Sequence, residues 1–346
     1  MDIFSLETYN YHLPPELIAQ YPVEPRDASR LLVLDRQTGE IRERIFRDLP
    51  ELLGPEWVVV LNRTRVVPAR LHGIKEKTGA RVEILLLKPS PGGYEALVRP
   101  AKRLPIGTRV TFSGTKVTAI IKGELSFGGG RLVAFENCPD VLAFLDQVGE
   151  VPLPPYINRP AGQEDQERYQ TVFARTPGSA AAPTAGLHFT PEILEKMTAR
   201  GVQIIEVLLH VGLGTFRPVE AADIRQHEIH SEFCEISIEA AAQLNQARRM
   251  GKKVLAVGTT VVRTLESMYQ AGEGYQSGRK DTRLFIYPGY EFRAMDAMIT
   301  NFHLPKSSLL MLVTAFTGLG HTLDAYRWAV NNRYRFFSYG DAMLII

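Results

Sequence analysis

The chain has 346 residues, 45% of them hydrophobic and 23% charged, and a formal net charge of +2. Such a composition can fill a sizeable core and excludes a disordered chain, while the near-neutral charge does not demand a polyanionic partner. No apolar run approaches the roughly 18 residues of a membrane span, and Met1-Asp2-Ile3-Phe4-Ser5-Leu6-Glu7 lacks the basic-then-apolar pattern of a signal peptide, so a cytoplasmic protein without membrane contact is expected.

In chain order, Leu31–Leu34 and Glu40–Phe46 flank a turn at residues 35–39 and predict a hairpin, followed by a buried strand at Trp57–Leu61. Residues 69–150 read as short apolar or alternating runs (Val82–Leu87, Tyr94–Val98, Arg109–Phe112, Val117–Ile121, Leu132–Phe135) between Gly, Pro and Ser signals, which predicts a small antiparallel β-barrel. This segment carries twelve Lys or Arg against eight Asp or Glu, so it is +4 and the remainder −2. Gly128-Gly129-Gly130 reads as a hairpin tip, because no helical pattern follows it. Beyond the proline-rich Val151–Pro155 the texture changes to alternating helices and strands. Thr190 caps a helix ending before Gly201, Gln203–Val211 is a strand, and Ser237 caps a helix over Ile238–Met250. Strands at Val254–Val257, Arg283–Ile286 and Ala342–Ile346 and helices at Thr260–Ala271, Ser307–Thr317 and Thr322–Asn331 complete the pattern. The fold expected is an α/β main domain over residues 1–68 and 151–346, with a small β-barrel domain inserted at 69–150. Cys138 and Cys234 lack the paired spacing of a zinc or redox motif and read as reduced structural thiols.

Three stretches dense in Gly, Pro, His, Asp, Asn and Thr point to one composite site: residues 182–190, 300–305 and 338–343. They offer His188, His303 and Asp341 for proton transfer, to which His210 and Glu232 are added, and Thr184, Gly186, Asn301, Phe302 and Tyr339 for contact with a substrate. Gly258-Thr259-Thr260 follows a strand and opens a helix, so its free amides suit a carboxylate or one phosphate; with one glycine it is neither a dinucleotide fingerprint nor a P-loop. Gly212, Gly214 and Thr215 permit close approach of backbone to a flat ligand, or form a simple turn. His227 and His230 resemble a metal pair, but they lack the spacing of the zinc protease motif, and no metal site is assigned. Arg63 and Arg65 stand where the barrel joins the main domain and suit either RNA phosphates or salt bridges to that domain; Arg99, Lys102 and Arg103 are further candidates for RNA contact.

Leu13–Gln20, Arg26–Leu31, Asn62–Leu71, Leu153–Ile157, residues 181–190 and Tyr334–Met343 resemble, in order and nearly end to end, the S-adenosylmethionine:tRNA ribosyltransferase-isomerase family of queuosine biosynthesis. Ala180, Ile229 and Cys234 depart from its pattern. The resemblance implies a monomer that consumes S-adenosylmethionine as a ribosyl donor, without a further cofactor. The acceptor implied is the aminomethyl group of 7-aminomethyl-7-deazaguanine at a tRNA wobble position, and the products are epoxyqueuosine-tRNA, adenine and methionine. Under this reading His188, His210 or Glu232 handles protons, Gly258–Thr260 anchors the methionine carboxylate, and Tyr339 or Phe302 stacks on a base. An S-adenosylmethionine-dependent RNA methyltransferase is the alternative, with a non-catalytic RNA binder and a metal-dependent hydrolase as more distant readings.

Overall fold

The computed structural model describes residues 2–212 and 219–346. The first hairpin is β1 (Arg30–Leu34) and β2 (Ile41–Ile45), and β3 (Trp57–Asn62) and β4 (Thr64–Val66) follow. Six strands then form a closed barrel: β5 (Arg70–Lys75), β6 (Arg81–Ser90), β7 (Gly93–Arg99), β8 (Arg109–Thr111), β9 (Thr118–Glu124) and β10 (Gly130–Glu136). The chain continues through helix α1 (Val141–Val148), α2 (Gln163–Arg168), β11 (Thr176–Ser179), α3 (Pro191–Ala199) and β12 (Gln203–Leu209). After β13 (Glu232–Ile236) come α4 (Ile238–Arg249), β14 (Lys253–Val257) and α5 (Thr259–Ser267), and then a small hairpin of β15 (Tyr269–Gln270) and β16 (Gly274–Tyr275). The last elements are β17 (Gly278–Thr282), β18 (Ala297–Asn301), α6 (Ser308–Thr317), α7 (Leu319–Asn331) and β19 (Ala342–Ile345).

Nine strands form the main sheet in the order β17-β13-β12-β3-β14-β18-β19-β1-β2. Its centre, β12, β3, β14 and β18, is parallel, while β19 runs against β18 and parallel to β1. Every residue of β3 is buried, as a parallel strand covered on both faces requires. Its side chains alternate: Val58 and Val60 join the core under α4, α5, α6 and α7, and Trp57, Val59 and Leu61 join the core under α3 and the turns at 46–52 and 184–188. The outermost strands carry charge, Arg42, Glu43 and Arg44 on β2 and Arg279, Lys280 and Asp281 on β17, which discourages pairing with another chain.

The expected architecture, an α/β sheet with a small barrel, is present. Thr190 and Ser237 each cap a helix by accepting a backbone amide bond, as their positions predicted, and Ser307, read as the first helical residue, caps α6 in the same way. Several expectations differ, and β11, β13, β17, α1 and α2 were not anticipated. Arg283–Ile286 is not a strand, because the β17 ladder with β13 ends at Thr282. The helix beginning near Thr260 stops at Ser267, where a short hairpin takes over. Strand β18 was not predicted: five fully buried residues ending in Thr300-Asn301 are too short and too polar at one end to show a period.

The barrel core is Leu71, Ile84, Val98, Val110, Ile121 and Val133, closed at one end by Phe144 and Leu145 of α1. Arg131 is 8% exposed and its guanidinium donates to the carbonyls of Leu104, Gly130 and Ala101. That fork fixes the 101–104 loop, which leaves Arg99, Lys102 and Arg103 exposed and without an ion pair among the described residues. At the barrel's root the incoming and outgoing chains pair, Arg70 N–H to Glu150 carbonyl at 3.1 Å and the reverse at 2.8 Å. Gly149 sits so close there that a Cβ would lie 1.9 Å from the Pro68 carbonyl oxygen.

Candidate active site

The carboxyl ends of β3, β12, β14 and β18 and the amino ends of β19 and β1 share one edge of the sheet. Ligands of open α/β sheets bind at such an edge. Asn62, the last residue of β3, organises it: its Nδ2 donates to Leu209 carbonyl at 3.0 Å and Thr260 Oγ1 at 3.2 Å, and its Oδ1 accepts from the Leu209 and Thr64 amides at 3.1 Å each. One amide thus locks β3, β12 and the start of α5 together. The sequence signal was a single polar residue closing an apolar run.

A narrow cleft opens over this edge. Ala182–Ala185 come to it from the first motif, Thr300, Asn301 and His303 from the second, and Ser338 from the third, with Phe337 just before it. Gly258, Thr259 and Thr260 form its floor, and Tyr156, Val211 and Leu309 complete its walls. Gly258 has φ 91° and ψ 151°, a conformation that favours glycine, and this turns β14 into α5. The amides of Thr259 and Thr260 make no hydrogen bond among the described residues and lie at the positive end of the helix.

His303 is 6% exposed, and its Nε2 lies 2.7 Å from Thr300 Oγ1. The Thr300 hydroxyl donates to the Asn301 carbonyl, so it accepts from Nε2–H, and the Nδ1 lone pair of His303 is left for the cleft. Burial lowers the His303 pKa to about 3, which keeps the ring neutral. Asn301 Nδ2 donates to the Phe337 carbonyl at 3.0 Å and to His188 Nε2 at 3.3 Å, while its Oδ1 is buried and unpartnered. His188 stands behind Asn301. Its Nδ1 donates to Ser29 Oγ at 2.8 Å, its ring packs on Phe46, and burial lowers its pKa to about 3, helped by Arg26 and Arg335. His188 therefore orients Asn301 rather than facing the cleft. Phe337, held at φ 74°, packs against Tyr156 with ring centroids 3.9 Å apart, and Tyr156 bonds Ser338 at 2.5 Å.

The other expected site residues lie apart from this cleft or serve its frame. Phe302, expected to stack on a base, is fully buried among Tyr326, Tyr334 and Phe336 and cannot do so. Tyr339 is 3% exposed and donates to Asp165, itself held by Arg159; it borders a smaller recess with His188 and Arg26. Both carboxylate oxygens of Asp341 accept backbone amides, from Arg30 at 2.9 Å and Arg335 at 2.8 Å, and burial raises its pKa, so it acts as a staple. His210 bonds Thr64 at 2.8 Å and stacks on Phe233, and burial lowers its pKa. Glu232 pairs with Arg263 and accepts the Gly212 amide at 3.0 Å, in a recess that also holds His227 and His230. Among the described residues no group of three or more His, Cys, Asp or Glu is placed to hold a metal. A Cβ at Gly186 would meet Phe173 and Thr171, so its role is packing, whereas Thr184 lines the cleft. Gly214 and Thr215 fall outside the described residues. Arg63 pairs with Glu235 and Arg65 with Asp146 of α1, the salt-bridge reading of these two. Cys138 and Cys234 are unbridged. Ser29, Asn62, Tyr156 and Phe337 were given no role from sequence, since each acts through a contact distant in the chain, whereas Thr300 lay inside the second motif, three residues from His303.

Comparison with known proteins follows the same line. Residues 6–345 match the family model of queuosine biosynthesis proteins. The S-adenosylmethionine:tRNA ribosyltransferase-isomerase of Syntrophomonas wolfei is 57% identical over 346 residues, 100% of this chain and 98% of its own length. The protein of the same name from Moorella thermoacetica is 53% identical over 344 residues, 99% of each chain. The crystal structure of S-adenosylmethionine tRNA ribosyltransferase from Thermotoga maritima, 41% identical, aligns with a TM-score of 0.57 over 98% of this chain and 100% of that one. No helix among the described residues is long and apolar enough to cross a membrane. With the three motifs gathered on one cleft and relatives matched end to end, this chain belongs to the S-adenosylmethionine:tRNA ribosyltransferase-isomerase family of queuosine biosynthesis and is a transferase.

Proposed function

We propose that the cleft takes S-adenosylmethionine as a consumed substrate, with no further cofactor, and transfers its ribosyl part to the aminomethyl group of 7-aminomethyl-7-deazaguanine at a tRNA wobble position. Epoxyqueuosine-tRNA, adenine and methionine are the products. The reading rests on one observation above all: His303, neutral and with Nε2 held by Thr300, lines the same cleft as Thr259 and Thr260, whose amides are open. The sulfonium acidifies the adjoining 5′ carbon of the ribose, and His303 Nδ1 accepts the proton released there. The imidazolium so formed is a strong acid in this buried setting and returns a proton to the departing adenine. The tRNA amine then adds to the opened sugar, and the C5′–S bond breaks as the epoxide closes and methionine leaves. Asn301 Oδ1, buried and unpartnered, accepts from an N–H of the bound base. His188 holds the amide of Asn301 in place.

The tRNA substrate puts the reaction in the cytoplasm, and the protein is taken to act as a monomer. Arg99, Lys102 and Arg103 are the residues offered to RNA phosphates, since Arg63 and Arg65 are occupied in ion pairs. Incubation with precursor-modified tRNA and ribose-labelled S-adenosylmethionine tests the reading. Label in the tRNA with release of free adenine is the expected result. S-adenosylhomocysteine in place of adenine would return the protein to methyl transfer.

A further inference from the structure

His303 lies just past the end of β18, whose ladder with β19 closes at Asn301 and Ala342, in a stretch with neither helix nor strand. The residue is buried, so its backbone amide and carbonyl must find partners inside the protein. No backbone group supplies them among the described residues; two tyrosines do. The amide donates to the Tyr326 hydroxyl of α7 at 3.1 Å, and the carbonyl accepts from the Tyr11 hydroxyl. The two rings meet edge to face with centroids 5.2 Å apart, and Tyr326 also packs on Phe302 at 5.4 Å, which fixes where the hydroxyls point. Burial raises the pKa of both phenols and keeps their protons in place. Further along, the Lys306 amide donates to the Tyr9 carbonyl at 2.9 Å and Lys306 Nζ pairs with Glu7, so the same N-terminal segment holds the loop at a second point.

We infer that Tyr11 and Tyr326 are positioning residues for the reaction: together they hold the main chain of His303 while Thr300 holds its Nε2, and so fix the line along which Nδ1 meets the ribose. The inference rests on the reading of His303 as the proton acceptor. Attachment at amide, carbonyl and Nε2 leaves the residue little freedom to turn. With either hydroxyl lost, a buried amide or carbonyl is unmet, and the loop must shift to reach another partner. A displacement of about 1 Å at a reacting atom is enough to cost about 10²-fold in rate.

Tyr11→Phe and Tyr326→Phe keep the rings and remove only the hydroxyls. Each is expected to lower kcat for adenine release from S-adenosylmethionine, measured with precursor-modified tRNA, by about 10- to 100-fold, while KM for the donor changes by less than about threefold. A double-mutant cycle separates positioning from folding. In a His303→Ala background, where kcat is already lower by about 10², either substitution should lower it further by less than about twofold, because no ring is left to aim. The same loss in both backgrounds would assign the hydroxyls to the fold alone, and kcat within about threefold of wild type in both single variants would equally overturn the assignment. If Tyr326→Phe does not fold, Tyr11→Phe, at a half-buried position, completes the cycle by itself. Undiminished kcat in His303→Ala refutes the proton-acceptor reading and the assignment with it, an outcome distinct from a cycle that is additive.

Discussion

At His303 the Thr300 hydroxyl decides which ring nitrogen carries the proton, and burial decides that the ring is neutral. Because the pKa is already lowered to about 3, His303 has no proton to lose between pH 5 and 8. The acid limb of kcat/KM should therefore show no inflection near 6.5, and His303→Ala should lower kcat by about 10² or more. An inflection near 6.5 that disappears in His303→Ala would contradict the assigned environment. His188 allows a separate test on stability. Its pKa is about 3 when folded, against an ordinary histidine value of 6.5, so the unfolded chain takes up a proton below about 6.5 that the folded chain refuses. Stability conferred by the neutral ring is complete above 6.5 and lost as pH falls from 6.5 towards 3. In His188→Gln the drop in unfolding free energy between pH 7 and 4.5, measured with urea, should shrink by about 2–3 kcal/mol. From sequence these histidines were visible as candidates but could not be ranked. Their roles depend on Ser29, Asn301 and Thr300, and only folding brings Ser29 and Asn301 to His188.

Among the elements, the entry to α5 is constrained by its backbone, since Gly258 adopts φ 91° and ψ 151° while a Cβ there would find its nearest neighbours at an ordinary 3.6 Å. The requirement is conformational, not spatial. Gly318, between α6 and α7, has φ 91° and ψ 146° in open surroundings away from the cleft. Gly258→Ala and Gly318→Ala should each cost about 1–3 kcal/mol, but only the former should raise KM for S-adenosylmethionine. Equal effects on KM would remove the α5 entry from the binding site. Helices were legible wherever a hydroxyl cap preceded the apolar pattern, as at Thr190, Ser237 and Ser307. Strand β18 escaped because its register comes from β14 and β19 rather than from its own alternation. Arg283–Ile286 misled because Leu284, Phe285 and Ile286 are apolar in order to pack on the core, and no partner strand extends that far.

For the whole molecule, the sheet brings distant motifs to one edge, and the barrel carries the surplus of positive charge. The basic excess was readable from composition, but which cations are available to a partner was not. Arg63 and Arg65 are held by Glu235 and Asp146, whereas Arg131 secures the loop that presents Lys102 and Arg103. Neutralising Arg99, Lys102 and Arg103 together should flatten the dependence of log K for tRNA on log salt by about 0.7–0.9 for each phosphate no longer neutralised. An unchanged slope in filter binding across a salt series would assign them to the solvated surface.

The paired crossing at Arg70 and Glu150, with Gly149 against Pro68, has a consequence for how this molecule could be taken apart. Both leads of the barrel meet the sheet-bearing body one ladder rung from each other, so a brief glycine bridge from Pro68 to Val151 would close the gap without stretching either end. If the proposed RNA contacts lie on the barrel, such a shortened chain should release adenine from S-adenosylmethionine no faster than background yet still bind that donor, and should fail to retain tRNA; undiminished tRNA binding would place the acceptor contacts on the sheet-bearing part.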